Sequence, residues 1–455
     1  VTSARRPPVR LLHLSDIHFS KKDSGDVYDL DADLRNEIER DAAELIARVG
    51  VPTAIVITGD VAYGGKHSEF EMADEWLERL CSALNVPREQ VFVVPGNHDI
   101  DRAIIDSDPL IADTHKFVRH AERTTLDTMV KRYFKDSPAG ASALFAPLGH
   151  YNDFALKYQC AVTPEMPFWE HSIQMNDNSL LMVRGMNSTL ISDSDDDDGA
   201  NRLVLGLFQA TCPNADGVIY LTLCHHPPDW LLDGEQIDDT LALRAKVQLF
   251  GHKHKLKIKR LDDSLRVTAG AAHPNRREPN WLPRYNYLVL EILGEGNARF
   301  LRVDVYARVW NDSVMKFVAD QIQPNEESRH VEFALPSWWA PEVINGDPVK
   351  SDSTPPPIAT RSHEEVIAVD PARRLIYTFY SLPFHLRIAL AQELELITDE
   401  DRNLSEEVLF PRLFRRAADR GMLKDLWRLV QEQRGELTTD NPFDAPENGR
   451  REHAS

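Results

Sequence analysis

The segment VFVVPGNHDI, residues 91–100, decides how this chain folds. Four apolar residues lead into Pro95 and Gly96, and Asn97, His98 and Asp99 follow at once. A short Val/Phe run bounded by Pro and Gly reads as a buried strand that stops abruptly. An amide, an imidazole and a carboxylate at the end of such a strand are not there for packing.

The same ending recurs. VRLLHL (9–14) runs into Ser15, Asp16, Ile17 and His18, and AIVIT (54–58) into Gly59 and Asp60. VIYLTLC (218–224) runs into His225, His226, Pro227 and Pro228, and VQLF (247–250) into Gly251, His252, Lys253 and His254. In an open α/β sheet, strand ends on one edge form the crevice that binds ligands. Gly59, Gly96 and Gly251 permit tight turns and close backbone approach there. Neutral imidazole with carboxylate oxygen is the donor set of borderline divalent metals. The donors are too many for one ion with open positions and about enough for two.

Outward from that edge, the first two-thirds of the chain alternates strand-like and helix-like runs, which predicts an α/β domain of layered αββα type. Helices are expected over 33–49 and 68–84. LLMVRG (180–185), YNYLVLEI (285–292) and ARFLRVDVYARVW (298–310) add strands, the last two antiparallel with a wetter face. Helical spacing without clear strands over 101–170 predicts a helical cap insertion within a catalytic domain of residues 5–345. GDPVKSDSTPPPIATRS carries the linker, 346–362. A small all-α module follows over 363–436, then a polar tail, 437–455, that reads as disordered. In the module Leu386, Ala389, Leu390, Leu394 and Ile397 form one apolar stripe, and Asn403 with Glu406 forms a capping box. Gly421 and Gly435 bracket a last helix.

The series Asp16-x-His18, Gly59-Asp60, Gly96-Asn97-His98-Asp99, His225-x-Pro227 and Gly251-His252-x-His254 resembles the signature of the calcineurin-like metallophosphoesterase superfamily, with all five blocks in that family's order. The resemblance implies two packed mixed sheets flanked by helices. It also implies two divalent ions (Mn, Fe, Zn, Co or Ni, with Mn and Fe favoured). Asp16, His18 and His254 would hold one, Asn97, His225 and His252 the other, and Asp60 would bridge. Of the adjacent histidines, His225 matches the ligand of the family's His-x-Pro, which leaves His226 to shape the pocket. His98 would stand beside the substrate as a non-ligand, with Asp99 orienting it through a carboxylate–imidazole hydrogen bond.

Two cations roughly 3.5–4 Å apart can hold the oxygens of a phosphate ester and supply hydroxide near neutral pH from a bridging water. The Leu-Cys-His-His-Pro-Pro block resembles the bacterial branch that hydrolyses cyclic nucleotides and glycerophosphodiesters. The implied function is therefore a phosphodiesterase acting on a small diester, with His98 assisting. The alternatives are a signalling or scaffold protein that uses the metal site for sensing, or a phosphomonoesterase or nuclease of the same superfamily. The module faintly resembles adaptor domains of bacterial conflict systems, which implies a protein partner or self-association.

Composition narrows the setting. A net charge of -20 across 455 residues disfavours nucleic acid and anionic membranes as partners. KHKLKIKR (253–260), with Asn275, Arg276 and Arg277 beyond it, is the one basic strip; it reads as a strand with a solvated cationic face, or less simply as a binder of additional phosphates. Cys81, Cys160, Cys212 and Cys224 lack CxxC spacing and read as buried thiols of a reducing compartment. With no signal peptide or membrane-length apolar run, the expected location is cytoplasmic. SDSDDDDG (192–199) reads as a solvated acidic loop, His13 as a satisfied core histidine, His150 as a cap-surface residue, and Trp338 with Trp339 as a packing seal.

Overall fold

The computed structural model describes residues 6–20, 30–194, 196, 202–274, 282–321, 326–338, 370–401, 404–435 and 441–444. The expected linker, Asn403, Trp339 and the Asn275–Arg277 triplet lie outside the described residues.

Thirteen strands are described: β1 Val9–Leu14, β2 Ala54–Ile57, β3 Val91–Val93, β4 Phe168–Gln174, β5 Leu180–Met186, β6 Val218–Cys224, β7 Val247–Phe250, β8 Lys257–Arg260, β9 Leu265–Thr268, β10 Arg284–Leu293, β11 Phe300–Asn311, β12 Lys316–Ala319 and β13 Arg329–Ala334. They form two mixed sheets, one in the order β12-β11-β10-β1-β2-β3 with β13 also on β11, the other β4-β5-β6-β7-β9-β8. The mostly apolar runs read from the sequence became parallel strands: β1, β2 and β3 in the first sheet, and β5, β6 and β7 in the second, where β9 also pairs parallel with β7. Strands buried on both faces read as unbroken apolar runs because no face is left for water. One continuous apolar core joins both sheets and the helices Leu30–Val49 and His67–Leu84. This is the layered sandwich that the alternation predicted.

The insertion after Asp101 is helical through 158: Arg102–Ser107, Pro109–Arg119, Arg123–Asp136, Pro138–Phe145 and Gly149–Ala155. Helix starts are marked by Asp101, Asp108 and Ser137, whose side chains accept from backbone N–H groups two or three residues on. Its last stretch differs from expectation. Phe168 and Trp169 open β4, whose residues alternate against β5 in register from Phe168↔Met186 to Gln174↔Leu180. The acidic loop is not wholly solvated either. Asp196 is buried, accepting from Ser192 Oγ and the Asp193 N–H, while Arg119 of the insertion holds Asp193 at 2.9 Å.

The C-terminal module is the distinct all-helical unit expected, with helices Pro371–Tyr380, Phe384–Glu393, Glu406–Asp419 and Leu423–Arg434 around its own core of Leu375, Phe379, Phe410, Leu413, Leu426 and Val430. Two details differ. The third helix starts from Ser405, and Ala389 faces solvent while Ala391 takes the buried position. The first helix is seated on the sandwich. Arg373 is buried, its guanidinium donates to Glu89 O (3.0 Å) and Tyr158 O (3.1 Å), and it lies 4.7 Å over the Phe92 ring. Tyr377 belongs to the sandwich core. In the tail, Phe443 packs on Trp427 and the Asn441 amide donates to Lys424 O (2.8 Å). Trp338 lies against the Arg299 guanidinium at 5.2 Å, as a packing residue would. The four cysteines are buried and free, and no described helix is long and apolar enough to cross a membrane.

Candidate metal centre

The C-terminal ends of β1, β2 and β3 from one sheet and of β6 and β7 from the other meet at one edge. Backbone bonds join the loops: Asp16 N to Gly59 O (3.0 Å), Ile17 N to Asp60 O (2.8 Å), Gly251 N to His225 O (3.0 Å) and His273 N to Asp16 O (3.0 Å). The turns are sharp enough to push non-glycine residues into the left-handed region. Asp16 (φ 54°), His18 (54°), Asp60 (53°), His252 (69°) and His254 (51°) make up half of the ten non-glycine residues with positive φ among those described. Each costs on the order of 1–2 kcal/mol, and such strain persists where it aims a side chain. The glycines leave no room for a Cβ: one at Gly96 would strike Asp60, one at Gly59 the His225 ring, and one at Gly251 Ser15 Oγ and Thr58 O.

Every side chain that the signature singled out as a metal donor arrives at this edge. Asp60 is central. Its Oδ1 accepts the His98 N–H (2.8 Å), while its Oδ2 lies 3.3 Å from His18 Nε2 and 3.2 Å from His225 Nε2. On one side Asp16, His18 and His254 form a triad, with His254 Nε2 3.2 Å from Asp16 Oδ1. On the other, Asn97 Oδ1 lies 3.1 Å from His225 Nε2 and 3.2 Å from His252 Nδ1.

Backbone carbonyls set the imidazole tautomers. His225 Nδ1 is 2.7 Å from Thr58 O and His18 Nδ1 3.3 Å from His273 O, so each must donate from Nδ1 and present Nε2. His98 does the same toward Tyr63 O, at 2.7 Å.

The edge concentrates buried carboxylates and imidazoles that strongly shift one another. Burial pushes the carboxylates up, yet His254 holds Asp16 down at about 2, and His225 and His98 hold Asp60 well below its ordinary value. Burial opposes charge on His225, but Asp60 and then Asp16 push it up to about 9. His252 is lowered to about 3 by burial and by His225, and His226 falls well below its usual value for the same reasons, with His252 the larger neighbour. Asp16 Oδ1 is buried and makes no hydrogen bond among the described residues. Two converging triads around a shared carboxylate, with the buried Asp16 Oδ1 facing His254 Nε2 at 3.2 Å, fit a pair of divalent cations.

One expectation needs correction. Asp99 does not touch His98. Its carboxylate accepts the N–H groups of Ala62 (2.7 Å) and Gly96 (2.8 Å) and staples the two strand-end loops together, because the turn at 96–99 points it back into the core. Burial and the Asp60 charge push it up to about 7. The orienting partner of His98 is the Tyr63 carbonyl. His226, in turn, is as near to Asn97 Oδ1 (3.1 Å) as His225 is, and its Nδ1 meets Ser188 Oγ at 2.8 Å. Only His225 of the two also reaches Asp60.

Sequence reasoning missed Tyr63, Ser188, Thr58 and Trp230. Tyr63 is half exposed and stacks on His98 at 5.2 Å, and Trp230 stands edge-on to His252 at 4.0 Å. The Gly64-Gly65 pair after Tyr63 was the available hint of a loop folding back. His13 is satisfied in the core by Thr58 Oγ1 (3.0 Å). Lys253, Lys255, Lys257 and Lys259 are all exposed, and β8 is a sheet edge, where charged side chains discourage pairing with another chain.

A model of the calcineurin-like phosphoesterase family matches residues 9–256, more than half of the chain. This chain belongs to that family. A model of the GTPase-associated adaptor domain matches residues 371–432, the helical module. The metallophosphoesterase-like protein YydB of Bacillus subtilis (strain 168) is 31% identical over 94 residues, which is 21% of this chain and 18% of that protein. The match thus spans under a fifth of that relative's length. Among solved structures, vacuolar protein sorting 29 from Cryptosporidium parvum is 14% identical, with a TM-score of 0.32 over 72% of this chain and 100% of that one. Purple acid phosphatase PPD1 from yellow lupin is 9% identical, with a TM-score of 0.36 over 77% of this chain and 58% of that one.

Proposed function

We propose that the chain is a metal-dependent phosphodiesterase acting on a nucleotide-type diester, of which a cyclic mononucleotide is the smallest example. The observation that carries this reading is Asp60 Oδ2 set between His18 Nε2 (3.3 Å) and His225 Nε2 (3.2 Å), one from each triad. Asp16, His18 and His254 would hold one divalent ion and Asn97, His225 and His252 a second, with Asp60 within reach of both. When bound, such a pair clamps phosphate oxygens and makes a water molecule nucleophilic near neutral pH. The chain's own residues do the rest. Asn97 supplies a neutral donor, which limits negative charge facing an anionic substrate. His98, fixed through Nδ1 on Tyr63 O, keeps Nε2 for the ester oxygens. Burial lowers its pKa, against the pull of Asp60, so its imidazolium is a readier proton donor to a leaving oxygen. The exposed Tyr63 ring beside it offers a flat surface to an aryl or nucleobase group of the ester.

The test is hydrolysis of a chromogenic phosphodiester and its matching monoester by protein stripped of metal and reloaded with Mn, with His98→Ala and Asp60→Asn in parallel. Metal-dependent diester turnover is expected, falling on the order of 10²–10³-fold in each variant. Preference for the monoester, or no turnover of either by metal-loaded protein, overturns it.

A second reading concerns the module alone. Because residues 371–432 match an adaptor domain associated with GTPases, we infer that its solvent side, where Phe384 is half exposed, receives a protein partner of that class.

A further inference from the structure

We propose a further metal site, separate from the strand-end edge, in which His67, His150 and Asp153 hold one divalent ion of the zinc type. His150 and Asp153 are three residues apart in helix Gly149–Ala155, so they share a face one turn apart. His67 comes from the first turn of helix His67–Leu84, which packs beside it. One donor atom from each residue lies within 4.8 Å of the others, and the two imidazole rings are 5.9 Å apart.

Zinc–nitrogen bonds of about 2.0 Å in a tetrahedral site put donors roughly 3.3 Å apart. The gap to close is therefore at most about 1.5 Å, less than one rotamer adjustment of His67, whose side chain is 61% exposed. Two imidazoles with one carboxylate is a donor set for zinc, cobalt or nickel rather than for calcium or magnesium.

The surroundings favour a cation. Glu71 Oε1 lies 3.4 Å from His67 Nε2 and Asp101 Oδ2 3.8 Å from His150 Nε2, so a fourth donor is at hand. Lys66 is already paired with Asp101. Burial raises the Asp153 carboxyl, and the charge of Glu407 from the helical module raises it further, which a bound cation would relieve. The placement gives the site a consequence. His67 closes the segment that begins at Asp60 and carries Tyr63, whose carbonyl fixes His98. An ion here would pin that segment from its far end.

The test counts zinc in the full chain after equilibration at low micromolar free zinc, for the natural protein and for His67→Ala/His150→Ala. One fewer equivalent in the double variant is expected, whatever number the strand-end edge retains. Asp153→Asn, an isosteric change, should weaken that equivalent at least about 10-fold and guards against a misfolded double variant. Equal zinc content in all three proteins overturns the proposal. Absence of diester turnover in the natural protein, with the one-equivalent difference intact, would leave it standing while removing the phosphodiesterase reading.

Discussion

The strand-end edge and the helical module are built on opposite principles. At the edge, five side chains sit on left-handed backbone, carboxylates are buried among imidazoles, and Asp16 Oδ1 goes without a hydrogen bond. In the module, aromatic and aliphatic side chains such as Phe379, Phe410 and Leu413 interlock, and positive φ falls at Glu395, Gly421 and Gly435, in the turns beyond helix ends. The module spends its residues on stability. The edge gives stability up to hold charged and metal-ligating side chains together, which is the ordinary trade at functional sites.

Glycine substitution sharpens that contrast most. At Gly96 an added Cβ collides with Asp60 Oδ1 and the Asp60 backbone nitrogen. Gly96→Ala is expected to lose the ion on Asp60, lower diester turnover about 100-fold and cost about 1–3 kcal/mol. Gly435 has positive φ (71°) but open space around it, so Gly435→Ala should cost only about 1 kcal/mol and leave metal content and turnover alone. Metal analysis and thermal denaturation of the two variants read both effects. Equal losses of metal would break the comparison.

Legibility in the sequence followed the same divide. The parallel strands β1, β2, β3, β6 and β7 were legible because burial on both faces leaves a mostly apolar run, and the donors because each follows such a run. The short edge strands β12 and β13, and β4 with its Trp169, Glu170 and His171, were not, because a strand exposed on one face mixes polar residues into its pattern; β8 was legible only through its alternating lysines. At the site, residue types were legible and directions were not. Whether Asp99 turns toward His98 or toward the Gly96 and Ala62 N–H groups depends on backbone dihedrals that adjacency in sequence does not encode. Nor does anything in PARRLIYTFY mark Arg373 as the residue that leaves the module for the sandwich.

That arginine shows the module borrowing the edge's habit of burying charge. Arg373→Ala would leave the carbonyls of Glu89 and Tyr158 without their charged donor and empty the space over Phe92. A cost of about 2–3 kcal/mol is expected. It should appear as faster proteolysis within 370–380 while the core around Phe410 stays protected.

The smallest effect tests whether the module's own charges matter. Arg416, with help from Thr398, holds the Asp401 carboxyl down at about 2, from an ordinary 3.8, against a weaker opposing push from burial. Because the folded state binds the proton more weakly than the unfolded one, the stability from this pair is fully present above about pH 4. It is lost as the pH falls toward 2. The effect should be about 1 kcal/mol or less, since a guanidinium partly open to water is well screened. Pepsin cleavage within 404–435 between pH 4 and pH 2 reads it, and Asp401→Asn should flatten the dependence. A slope unchanged in Asp401→Asn would mean that the module's acid response comes from elsewhere and that its apolar core alone sets its stability.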